Sequence, residues 1–280
     1  MLVDAHCHPY DLARVYSESE DERRRLGVIT AASACFLEEF NYNTEIARND
    51  NNNTEIDRKL FSCYAVHPQF PALEIKNGRS LTQKNIVSHL NILNILARDG
   101  KLAAVGEFGF DLYNTLYKKT EDIQNMIFST HLETALKYEL PVVLHVRRAM
   151  HKIFEHIKML VKCKAVIFHS WPGTYDEGHA LLRRGVNAYF SFGNIIMLNH
   201  KQAMRSCALL PAERLLTETD APYQPRRGET FSHWADLPLI LETAANLRTE
   251  AGNKINANEL EHQIEIIFYK IFKPQSTVIK

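Results

Sequence analysis

The chain lacks any apolar run approaching the roughly 18 residues of a membrane span. It also lacks an excess of either charge, with 33 Lys+Arg against 33 Asp+Glu in 280 residues. The first absence argues against a membrane protein, and nothing before Asp4 reads as a signal peptide. The second argues against a protein that coats nucleic acid by neutralising phosphates over its whole surface. A nucleic-acid partner would have to be held locally. Cysteine is sparse and unpatterned: Cys7, Cys35, Cys63, Cys163 and Cys207 are odd in number and show no CxxC spacing. That argues against a disulfide framework and fits reduced thiols and a cytoplasmic location. No internal repeat and no linker divides the chain, and no obligate protein partner is evident.

What is present is ordinary globular composition, 45% hydrophobic and 24% charged, at a length normal for one (β/α)8 barrel. Eight short β-type runs recur: Leu2–His6, Gly27–Cys35, Leu60–Val66, Leu102–Glu107, Pro141–His145, Ala165–His169, Ala188–Phe192 and Leu215–Thr219. Between and after them, apolar spacing predicts helices at Ile86–Ala97, Ile123–Tyr138, Met150–Val161, Asp176–Arg184, Ala235–Glu250 and Ala257–Phe272. Alternating strands and helices imply a parallel sheet with helical crossovers. Eight strands suggest closure, so the expected fold is α/β, a TIM-like (β/α)8 barrel forming a single domain over residues 1–280. The asparagine-rich segment 49–54 is expected to be a solvated loop.

The first strand ends in His6-Cys7-His8. Alternation along a strand turns His6 and His8 one way and Cys7 the other. Two imidazoles side by side fill a core poorly and hold a metal well. Downstream, further apolar runs stop at an ionisable residue: Glu107 after Val105-Gly106, His145 after Val142-Val143-Leu144, His169 after Val166-Ile167-Phe168, and Asp220 after Leu215–Thr219. Barrel enzymes gather their reactive groups at the carboxyl ends of the strands. Six such nitrogen and oxygen ligands can hold two divalent ions with a shared carboxylate. Imidazole and carboxylate without thiolate suit Zn, Mn, Mg, Co or Fe.

Six segments then resemble the TatD-type metal-dependent deoxyribonucleases of the amidohydrolase superfamily. They are Asp4–His8, Ala65–Pro68, Gly106–Asp111, Pro141–Arg147, His169–Gly173 and Leu216–Tyr223, in the family's order and over most of the chain. The resemblance implies a TIM-like barrel, divalent metal, and hydrolysis of DNA phosphodiesters by metal-bound hydroxide. It implies a first metal site from His6, His8, Glu107 and Asp220. Glu107 would bridge to a second site completed by His145 and His169. Asp220 would also act as general base, and His67 and Arg147 would contact the phosphate. Asp4 has two open roles, support behind the ligands or a buried structural acid. The chain departs from the family's usual pattern at Pro9, at Phe110-Asp111-Leu112-Tyr113 and after Tyr223, where Gln224-Pro225-Arg226-Arg227-Gly228 stands.

The favoured function is therefore an exonuclease-like deoxyribonuclease with DNA as partner. Arg147, Arg148, His151, Lys152, Arg226 and Arg227 would supply local positive charge, and Trp171, Phe110 and Tyr223, beside the ligands, have two open roles, packing in the core or rim or stacking on bases. The alternatives are a small-molecule amidohydrolase or esterase with the same two-metal site, and a non-catalytic protein on the enzyme fold. Intact ligands argue against the last.

Overall fold

The structure, a computed structural model, describes residues 1–50, 59–78 and 83–272. Eight parallel strands run in sequence order as one sheet: β1 Val3–Cys7, β2 Ile29–Ala32, β3 Leu60–Tyr64, β4 Ala104–Asp111, β5 Val142–Arg147, β6 Val166–Phe168, β7 Ala188–Phe192 and β8 Leu215–Thr217. The strands are buried almost throughout, which is why they read as continuous apolar runs rather than alternating ones. Helices cover the outside, and the expected (β/α)8 barrel is what forms.

The two ends of the sheet meet at β1 and β8, where side chains do much of the joining. Asp4 accepts hydrogen bonds from the Thr219 amide at 3.0 Å and hydroxyl at 2.6 Å. Thr217 Oγ1 donates to the Val3 carbonyl at 2.8 Å. The Asp220 amide donates to the His6 carbonyl at 3.0 Å, and the His8 amide to the Ala221 carbonyl at 2.8 Å. Asp4 is thus a buried acid that ties the first strand to the last. Burial raises it to about 7, against the pull of its Thr219 contacts.

Strand β4 shows why Glu107 faces inward. Phe108 and Phe110 point out and pack on Phe128 of the helix Glu121–Lys137, at ring separations of 5.3 and 4.7 Å. Each buried phenylalanine contributes about 1.5–3 kcal/mol. The register with β5 slips between Gly106 and Phe108, a bulge of the kind that re-aims a side chain. Two glycines allow the close approach. A Cβ on Gly106 would lie 2.5 Å from Val143 Cβ, and one on Gly109 only 1.9 Å from the His145 carbonyl oxygen. With no Cβ there, β4 and β5 press together.

Several expected boundaries move. β4 and β5 run past Glu107 and His145 to Asp111 and Arg147, because the outward Phe108, Phe110 and Val146 keep the strand pattern going. The expected helix Met150–Val161 breaks at His156 into Met150–Glu155 and Ile157–Leu160, and His156 Nε2 lies 2.9 Å from Asn125 Oδ1. The asparagine-rich loop falls mostly outside the described residues; Asn49 and Asp50 end the helix Leu37–Asp50. Among the described residues no helix is long and apolar enough to cross a membrane.

Candidate active site

His6 lies on β1, but His8 lies one residue past its end, as the N-cap of the helix Pro9–Val15. Pro9 is therefore the first residue of that helix, where its missing N–H costs nothing. Strand alternation does not extend to His8, yet its ring joins that of His6 with centroids 5.0 Å apart. Cys7 faces away and packs with Leu12, Val28 and Trp234. Asp220 follows β8 with φ +54, a left-handed conformation that aspartate tolerates better than most residues. That turn carries its carboxylate back over the barrel.

Glu107 lies at the centre. Its Oε1 lies 3.5 Å from His6 Nε2 and 3.1 Å from His8 Nε2. Its Oε2 lies 3.1 Å from His145 Nδ1, 2.9 Å from His169 Nε2 and 3.5 Å from His67 Nε2. Asp220 Oδ1 stands 3.4 Å from His6 Nε2 and 3.5 Å from His8 Nε2. His145 Nδ1 and His169 Nε2 are 3.0 Å apart. So all six sequence-expected ligands converge, on two sides of one carboxylate.

The donor set fits divalent metal. With metal–nitrogen bonds of about 2.0–2.1 Å, neighbouring ligand atoms stand roughly 3.0–3.4 Å apart. The separations above match that spacing. His6 Nε2 is buried and forms no hydrogen bond. The charge balance points the same way. Burial alone would raise the Glu107 and Asp220 carboxyls, but the surrounding imidazoles hold both well below the usual range. Burial alone would lower His8, but Asp220 and Glu107 raise it to about 10. These imidazoles hold protons where a cation would displace them.

The far nitrogen of each ring separates ligands from the remaining histidine. His6 Nδ1 meets Ser33 Oγ at 3.1 Å, His145 Nε2 meets Asp111 Oδ2 at 3.4 Å, and His169 Nδ1 faces Glu218 Oε1 at 3.8 Å. His6 and His145 can give the far proton to an acceptor and keep a lone pair for the centre, whereas His169 Nδ1 is buried without a hydrogen-bond partner. His67 is the opposite: its Nδ1 accepts from the Gln69 amide at 3.2 Å. In the neutral ring, favoured because burial lowers its pKa, Nε2 then carries the hydrogen. His67 thus presents a donor beside Glu107.

Several supporting residues are not among the site residues that the sequence singles out. Asp111 is held by Gln69 Nε2 at 2.7 Å and braces His145. Glu218 accepts from the Ser170 amide at 2.6 Å behind His169. Gln224, also left-handed at φ +55, donates to Asp220 Oδ2 at 2.6 Å and accepts from Ser170 Oγ at 2.9 Å. This departure from the family pattern turns out to orient Asp220. Of the two roles open to the aromatics, two residues take core packing. Trp171 packs on Phe168 and Phe190, and Phe110 on Phe128; both are buried in the core and present no face to a base. Tyr223 does stand exposed, edge-on to His8 at 5.1 Å. Arg226 is spent on Asp236 at 2.6 Å, and Lys152 on Glu155 at 2.7 Å. Arg147 stands exposed on the rim, outside the cluster.

His131 is a buried positioning residue. Its Nε2 accepts from the Val66 amide at 2.9 Å, and its Nδ1 gives a hydrogen to the Ile127 carbonyl at 2.7 Å. It thereby fixes the loop that carries His67. Burial lowers its pKa to about 4, against about 6.5 in an unfolded chain. The unfolded chain binds the proton more readily, so acid favours unfolding. This contribution is nil above about pH 7.5 and destabilises as pH falls from about 6.5 toward 4, by at most roughly 3 kcal/mol. Denaturant titrations of wild type and His131→Asn across that window should show the shallower pH slope in the variant. Equal slopes would remove His131 from the acid response.

A parallel barrel with imidazoles and carboxylates converging at the carboxyl ends of its strands defines a metal-dependent hydrolase of the barrel class. The chain matches the TatD related DNase family over residues 3–273 and belongs to it. A 3'-5' ssDNA/RNA exonuclease TatD from Pantoea ananatis is 33% identical over 187 residues, covering 64% of this chain and 70% of the relative. An uncharacterised metal-dependent hydrolase from Mycoplasma genitalium is 26% identical over 264 residues, covering 88% and 90%. The crystal structure of a TatD homologue from Escherichia coli K12 shares the fold with a TM-score of 0.77 at 22% identity, covering 97% of both chains.

Proposed function

We propose that the chain is a two-metal phosphodiesterase that trims DNA from one end. The observation that carries this reading is the division of Glu107, with Oε1 turned to His6 and His8 and Oε2 to His145 and His169. His6, His8, Glu107 and Asp220 would hold one divalent ion, and Glu107, His145 and His169 a second. Bound there, the ions supply a water of lowered pKa, near 7, and offset charge on the phosphate. Asp220 takes the proton of the attacking water on its carboxylate, while Gln224 fixes the orientation of that carboxylate. His67 donates from Nε2 to a phosphate oxygen. Arg147 brings a cation to the same side. The packed β4–β5 wall keeps the reacting groups in place, so little reorganisation accompanies reaction. The five free cysteines fit a reducing, cytoplasmic setting.

The test is a single-stranded oligonucleotide labelled at either end and incubated with Mg or Mn. Progressive shortening from one end, stopped by chelator, is expected. No cleavage of DNA together with rapid amide or carboxylic-ester hydrolysis would overturn the reading and favour a small-molecule hydrolase.

A further inference from the structure

Arg147 ends β5, and Arg148 follows with φ +54. Consecutive strand residues normally point to opposite faces. The left-handed turn, unfavourable for a residue with a Cβ, cancels that. Both guanidiniums gather on one ring: Arg147 lies 3.7 Å and Arg148 4.6 Å from the centroid of Tyr113. Arg148 Nη1 also donates to the Tyr113 carbonyl at 3.5 Å. Tyr113 is 43% exposed, and both arginines are exposed.

Other cations expected to serve the site are neutralised, Lys152 by Glu121 and Glu155 and Arg226 by Asp236. Among the described residues neither Arg147 nor Arg148 has a carboxylate partner. Two like charges drawn onto one ring repel unless an anion joins them. Stacking holds the guanidinium planes in advance, so less side-chain freedom is lost when an anion arrives. The arrangement stands beside the cluster. Arg147 is in register with Asp111, whose Oδ2 lies 3.4 Å from His145 Nε2.

We propose that Tyr113, Arg147 and Arg148 form a second anion subsite, which takes the phosphodiester next to the one that is cut in a single-stranded DNA substrate. The proposal rests on the phosphodiesterase reading and extends it. A diester with a single phosphate reaches Arg147 alone, whereas a strand of several nucleotides can fill the subsite. Arg148 reaches the flanking phosphate and Tyr113 keeps the two cations together.

The test measures fluorescence anisotropy of a labelled single-stranded dodecamer with the full chain in EDTA, so that binding is read without turnover. Arg148→Gln should weaken binding about fivefold and lower the slope of log affinity against log salt by about 0.7, the value for one phosphate contact on a single strand. Tyr113→Leu should weaken binding by about twofold through loss of the stacked platform. Arg184→Gln removes another exposed arginine stacked on an aromatic ring, Phe154 at 5.2 Å. Arg184 precedes β7, at the opposite mouth of the barrel, and its variant should bind like wild type. With metal added, Arg148→Gln should raise KM more than it lowers kcat. Wild type that shows no salt-dependent binding, or Arg148→Gln that keeps both affinity and slope, overturns the subsite. If binding depends on Arg148 but no divalent ion supports cleavage, the subsite stands and the catalytic reading falls. Cleavage with Arg148-independent binding is the reverse case.

Discussion

Asp220→Asn is expected to lower turnover on a DNA oligonucleotide by roughly 10³-fold or more, because it removes a general base and an anionic ligand together. The substitution preserves shape. Gln224 sits 2.6 Å from Oδ2 and can turn its amide to meet either end of the new side chain. His6 and His8 keep Glu107, so the fold should persist, with a melting temperature shifted by only a few degrees for roughly 1 kcal/mol of lost charge pairing. The check is kcat on a labelled oligonucleotide beside a thermal melt. A folded variant with near-wild-type kcat would end the assignment of Asp220 as base.

Glu107→Gln should do something different: it should strip metal from both sides at once. A carboxylate offers two equivalent oxygens, and here they serve two groups of imidazoles. An amide has one oxygen, so one side must lose its anion and face an NH₂ group. The loss of charge also leaves five histidines around a neutral group. Metal content after loading with Mn or Zn and desalting is expected to fall from about two ions per chain to fewer than one. Turnover should fall by about 10³-fold or more. Elemental analysis decides the matter: two retained ions in Glu107→Gln would show that Glu107 bridges nothing, whatever happens to activity.

The contrast between these residues and their supports shows what a sequence can reveal. His145 and His169 stand out because each interrupts a run of Val, Ile, Leu or Phe, and a strand buried on both faces has no other use for an imidazole at its end. Asp220 stands out for the same reason. Gln224, His131 and Ser33 interrupt nothing. Their importance depends on a partner far along the chain, such as the Ser170 hydroxyl for Gln224 or the Val66 amide for His131. Hydrophobic periodicity registers which face is buried, not which buried atom is met there. Trp171 shows the same limit in reverse. It follows a ligand by two positions, which suggests a role in the site, but its ring turns into the wall of Phe168 and Phe190. The expected β4 stops at the charge of Glu107, short of its end at Asp111. The bulge and the close approach of Gly106 and Gly109 to β5 let the strand continue through Glu107.

The Asp4–Thr219 seam has a consequence in time. His6 and His8 precede Asp220 by more than two hundred residues along the chain. Until β8 docks on β1, the nascent polypeptide carries imidazoles without the carboxylate that completes their side of the centre. The centre is therefore completed only when the barrel closes.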